Sequence, residues 1–152
     1  MIATREFSLS IKTPLEHQRT LQLLRTALDR ESFRILAEVP FHREFEKSMG
    51  VRATPYTVLV IWAPFHAYRA VLSDRDGGLF VPFSLLVAEH ENGTVVAAVN
   101  HMLFGRASGS LGVHALAREL NEQIRRIFVR ITAGEVSAES SSVAEGRRTG
   151  VL

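Results

Sequence analysis

The constraint that most narrows the fold is the segment Tyr56–Trp62, YTVLVIW, seven residues without a charge, closed by Ala63-Pro64. A run this apolar and this short reads as a strand with neighbours on both edges and cover on both faces. Pro64 then opens a helix, since its missing N–H falls where no intrahelical partner exists. Every other element has to be arranged around that strand.

Upstream, Phe7, Leu9 and Ile11 alternate with Glu6, Ser8 and Ser10, the period of a strand with one buried face. The following TPLE places Thr13 as a helix cap, Pro14 at the first helical position and Glu16 to close a capping box. The spacing predicts a helix to about Glu31, with Leu21, Leu24 and Leu28 as its apolar stripe. FRILAEVP predicts a second strand, and Phe41, Phe45 and Met49 a short helix ended by Gly50. After the helix that Pro64 starts, LFVPFSLLVAEH and TVVAAVNH flank an Asn92-Gly93 pair, a strong hairpin signal. Pro82 belongs near the start of its strand, at an edge or at a bulge. MLFGRASGSLG reads as a loop, and Leu116, Leu120, Ile124, Ile127 and Ile131 mark a last helix from about Val113.

This order predicts an α+β, two-layer domain over residues 1–132: a mixed, largely antiparallel sheet of about five strands with helices packed on it. From 133 to 152 aromatics and periodicity are lost, which predicts a flexible tail.

Composition removes several chemistries. Without cysteine the chain has no disulfide, thiolate nucleophile or Cys-ligated metal. A formal charge of +2 gives no reason to expect a nucleic-acid partner. No window is apolar enough for a membrane span, and the start does not read as a secretory signal, so a cytoplasmic location is expected. GRASGSLG has neither the ending of a P-loop nor dinucleotide-fingerprint spacing, and no cofactor is expected.

The run YTVLVIWAPFHAYRAVL followed by GGLFVPFSLLVAEHENGTVVAAVNHM resembles the domain-of-unknown-function family 302 over about residues 5–104. The shared features are Gly50-Val51, Ala63-Pro64, Ala67-Tyr68, Gly78 before LFVP, and the strand pair after it. The resemblance implies a two-layer unit and a homodimer, and it implies no activity. Where relatives often keep two cysteines, this chain has Trp62 and Phe83.

Those aromatics focus the candidate site. Trp62, Phe65, His66, Tyr68, Pro82 and Phe83 would line an apolar crevice at the strand ends, taking an apolar or aromatic small molecule with His66 as its polar anchor. An alternative makes His66 a general acid or base. The plainer reading sets His66 on the solvated side of its helix, with Phe65 or Tyr68 facing the sheet. His90 and His101 with Glu89 and Glu91 could supply metal ligands, yet charged residues beside a turn are usually only solvated, and no metal site is expected. His17, His42 and His114 lack ligand spacing and are expected at the surface or on helix flanks. Arg125, Arg126 and Arg130 beside the last apolar stripe make a basic amphipathic helix, read as packing on its own domain or a second subunit, with a structural or partner-binding protein acting through this helix as a third alternative.

Overall fold

The structure is a computed structural model that describes residues 1–148, with side chains through residue 134. The six strands are β1 (Ala3–Thr4), β2 (Ser8–Thr13), β3 (Arg34–Pro40), β4 (Tyr56–Trp62), β5 (Phe83–His90) and β6 (Gly93–Val99). They form one sheet in the order β1-β2-β6-β5-β4-β3, every pairing antiparallel. Five helices accompany them: α1 (His17–Arg30), α2 (Phe41–Met49), α3 (Pro64–Ser73), α4 (Met102–Ser108) and α5 (Leu111–Arg148). The expected α+β class stands, with one strand added at the edge.

The core lies between one face of the sheet and a layer made by α1, α3 and α5. Leu9, Ile11, Leu59, Ile61, Leu85, Val87 and Val96 point into it from the strands. Leu21, Leu24 and Leu28 meet them from α1, and Leu116, Leu120, Ile124, Ile127 and Ile131 from α5. The basic helix therefore uses its apolar stripe inside its own domain. Arg126 and Arg130 both hold the half-buried Glu31 at the end of α1, and Arg125 donates to the Thr4 hydroxyl. The tail expected from residue 133 lies almost wholly outside the described side chains.

Four local expectations change. On β4, burial alternates instead of covering both faces: Thr57, Leu59 and Ile61 are buried, and Val58, Val60 and Trp62 are half-buried. Phe7 does not join Leu9 inside, because a turn from Arg5 to Ser8 precedes β2 and leaves it exposed. α1 begins at His17, three residues after Pro14, since Thr13 is still paired to Thr94 as the last residue of β2. The Thr13 hydroxyl accepts instead from the Leu15 N–H at 3.1 Å, and no side chain caps the helix. MLFGRAS is helix and not loop, for a reason a local reading misses: Gly105 lets α4 close on α5, where an added Cβ would lie 3.0 Å from the Ala117 Cβ.

The hairpin exists as expected, but its two turn residues are Glu91 and Asn92, and Gly93 pairs with His90 at the start of β6. Gly93 has a φ of 144°, and a Cβ there would meet the Thr13 carbonyl oxygen. Gly93→Ala must move main chain on both strands, and denaturant unfolding should show a loss of about 3 kcal/mol. Wild-type stability in that variant would contradict the close approach.

Candidate functional site

Two cavities lie at opposite ends of the sheet, one apolar and one polar. The apolar crevice opens beside the start of β5. A short 3-10 turn, Arg75–Leu79, follows α3, and Gly77 allows it to press on that helix, since a Cβ would collide with the Ala70 carbonyl. This turn carries Leu79 and Phe80 up to α4, so that Leu79, Phe80, Phe104, Ala107 and Val113 wall a space of about 370 Å³. Asp74, Asp76 and Ser108 supply its polar contacts.

Behind Phe80 stands His101, fully buried. Its ring meets Phe80 edge-on at 5.2 Å and Phe83 at 4.8 Å between centroids. Two asparagines hold the corner in which it sits: the Asn121 side-chain oxygen accepts from the His101 main-chain N–H at 3.0 Å, and the Asn121 amide donates to Asn100 at 2.8 Å. Among the described residues, neither ring nitrogen of His101 makes a hydrogen bond of ordinary geometry, although the Asn121 side chain lies near enough to act on the ring. A buried polar atom in that state is costly, which makes it a point to explain. Burial pushes the imidazole down to about 4, with Asn121 acting in the opposite direction and His66 adding to the fall.

The six residues expected to share one crevice are divided among different surroundings. Phe83 is opposite Ile61 in the β4–β5 register and so faces the core. Trp62, one position along β4 and paired with Arg34 of β3, is half-buried at the strand end and packs on the margin of the core. Pro82 is exposed just before β5. On α3 the plainer reading is reversed: Phe65 and Tyr68 are 72% and 69% exposed, and His66 is 9% exposed against the core. His66 packs edge-on to Phe33 and lies 3.7 Å from Glu119, whose carboxylate is held by Arg69 at 2.7 Å. Burial lowers its pKa more than Glu119 raises it. The side chains that do line the neighbouring crevice, Phe80 and Phe104, were hidden in segments read as strand entry and loop.

At the other end, β5, the hairpin turn and the first residues of α1 and α2 surround a cleft of about 580 Å³. Its walls include His17, His42, His90, Glu16, Glu89, Glu91 and Arg43. His17 and His42, expected at the surface or on helix flanks, lie in the first turns of α1 and α2, buried and half-buried, with their rings edge-on at 6.2 Å. The His42 Nδ1 lies 3.0 Å from the Tyr56 main-chain nitrogen and 3.1 Å from the Tyr56 carbonyl oxygen, so the main chain of Tyr56 holds the ring in either tautomer. His17 Nε2 lies 3.2 Å from the Thr57 hydroxyl, and burial lowers its pKa. His90 and His101 stand at opposite ends of β6, so they cannot share an ion. No spacing in the sequence announces this cleft, because its residues come from three separated segments.

A one-sided antiparallel sheet, three covering helices and a cavity at each end define a two-layer α+β protein. The model of the family described as "Domain of unknown function DUF302" matches residues 9–131. The chain belongs to that family. Among solved structures, a similar one is that described as an uncharacterized conserved DUF302 protein from Bacillus stearothermophilus. It has a TM-score of 0.78 at 16% identity, over 84% of this chain and 99% of that one, a likeness of fold. No functionally curated protein matches the sequence.

His101, His66 and His17 all have lowered pKa values, so the folded chain keeps them neutral where the unfolded chain protonates them. The unfolded state then binds more protons, and stability falls as pH drops below the ordinary histidine value. For His101 the fall runs from 6.5 to about 4, and it is worth roughly 3 kcal/mol. His101→Phe removes the two buried nitrogens while keeping an aromatic ring. Its stability at pH 7 should lie within about 1.5 kcal/mol of wild type, and at pH 4.5 it should be the more stable of the two. An unchanged slope between pH 6.5 and 4 would contradict this account.

Proposed function

We propose that the protein is a homodimeric small-molecule-binding or accessory protein whose site is the crevice walled by Phe80, Phe104 and Val113. One observation carries the reading: an apolar space of about 370 Å³ backed, behind Phe80, by a buried imidazole whose nitrogens make no hydrogen bond of ordinary geometry among the described residues. Binding sites of this size combine apolar walls with a few polar groups and a perturbed titratable residue. The ligand class is an apolar or aromatic small molecule, as expected from sequence, taken a short distance from the residues first singled out. Trp62, Phe65, Tyr68 and Pro82 play no part in this version, and Phe83 and His66 act from the core behind it.

The crevice is tested with indole as the probe. In a nitrogen-15 NMR titration, indole should shift the amide signals of Phe104, Ala107 and Val113. Ala107→Trp, at an exposed position on the crevice wall, should abolish those shifts and leave the melting temperature unchanged. Equal shifts in both proteins, or none in wild type, would rule the crevice out.

The dimer reading rests on the sheet face opposite the core. Val39, Val58, Val60, Leu86, Val95 and Val99 are half-buried there, with Ser84 and Ala97 between them. Lys12 and Arg34 stand at its margins, on β2 and β3. At one end Phe41 of α2 stacks on Tyr56 at 5.5 Å and shares with Phe7, Val58 and Leu86 a shallow depression of about 260 Å³. A face so poor in charge is best covered by its like, and two identical copies related by a twofold axis provide that. Leu86→Lys should halve the mass measured by light scattering without loss of helical signal. A monomeric wild type, or a variant of unchanged mass, would defeat the reading.

A further inference from the structure

The polar cleft is independent of the crevice and differs from it in chemistry. Glu16, Glu89 and Glu91 line it together with Arg43, yet among the described residues none of the three carboxylates comes within ion-pair distance of that guanidinium. Arg43 belongs to α2, Glu89 and Glu91 to the hairpin, and Glu16 to the residue before α1, three segments that meet around the cleft. Elsewhere the chain pairs such groups closely, as Arg25 with Glu38 at 2.8 Å and Arg69 with Glu119 at 2.7 Å. Around about 580 Å³ these charges of both signs stay unpaired with each other, an arrangement that a molecule bringing both countercharges would satisfy.

The remaining wall is neutral and hydrogen-bonding. His42 is oriented at its Nδ1 by the main chain of Tyr56. His17 is fixed against the Thr57 hydroxyl beneath α1. No group of three or more His, Asp or Glu among the described residues is placed to hold a metal ion. We infer that this cleft binds a zwitterionic amino acid with a polar side chain. Arg43 takes its carboxylate, Glu89 and Glu91 take its ammonium, and the histidines meet its side chain.

Three probes separate the charges on the full chain by nitrogen-15 NMR: L-glutamine, N-acetyl-L-glutamine, which lacks the ammonium, and L-glutaminamide, which lacks the carboxylate. L-glutamine should shift the amide signals of His17, His42 and Glu89 to saturation. Each single-charge analogue should bind at least about tenfold more weakly, as the loss of one charge-assisted contact requires. Arg43→Gln should bind L-glutamine and L-glutaminamide equally, and a Glu89→Gln, Glu91→Gln double variant should bind L-glutamine and N-acetyl-L-glutamine equally. All of these positions are exposed, so the spectrum away from the cleft should stay that of the wild type. If either analogue binds as tightly as L-glutamine, the zwitterion assignment is wrong. Unmoved cleft signals with all three probes, or shifts confined to Phe104 and Val113, would overturn the site itself. Ala107→Trp should leave the L-glutamine titration unaltered, which separates this outcome from any failure of the crevice.

Discussion

Antiparallel pairing through β4 and β5 is the constraint on which the rest depends. Each paired position sends its two side chains to the same face, so the register Leu59–Leu85, Ile61–Phe83 commits both strands at once. Helices α1, α3 and α5 cover one of those faces. The other keeps its valines and Leu86 half-buried. A slip of β4 by one residue would exchange Leu59 and Ile61 for Val60 and Trp62, and would set the indole where the core now closes around Phe33, Phe83 and His101.

The same constraint decides where chemistry can occur. A sheet filled on one side by packed helices leaves room mainly at its two ends, where strands hand over to helices. At the β5 entry the handover is aromatic, and the polar group among the rings is His101, held by its main-chain N–H. At the hairpin end the handover is charged, and the imidazoles are tied to the sheet by Tyr56 and Thr57. One fold thus offers an apolar and a polar cavity with nearly the length of β5 between them.

Much of the architecture was legible because it is local. The apolar run of β4, the glycine after α2, Pro64 at the start of α3 and the isoleucine stripe of α5 each report their own element. What was illegible is tertiary. Gly105 and Ser108 signal a loop until α5 supplies the surface on which α4 lies. The apolar residues of β4 signal two buried faces, since a face covered by helices and a face left half-buried carry the same composition here. His66 reads as solvated when α3 is taken alone, and Phe33 and the core on its other side reverse that. The polar cleft gathers α1, α2 and the β5–β6 turn, and its members were passed over singly because none has a motif.

The account turns on the claim that a second copy covers the bare face of the sheet. Isotope-filtered NOE spectroscopy on a mixture of carbon-13 methyl-labelled and unlabelled protein tests it most directly. Methyl groups of Val58, Val60 and Leu86 should show contacts to the unlabelled copy, and those of Leu24, Leu59 and Ile124 should show none. Contacts from other surfaces, or no contact between copies at all, would contradict the account.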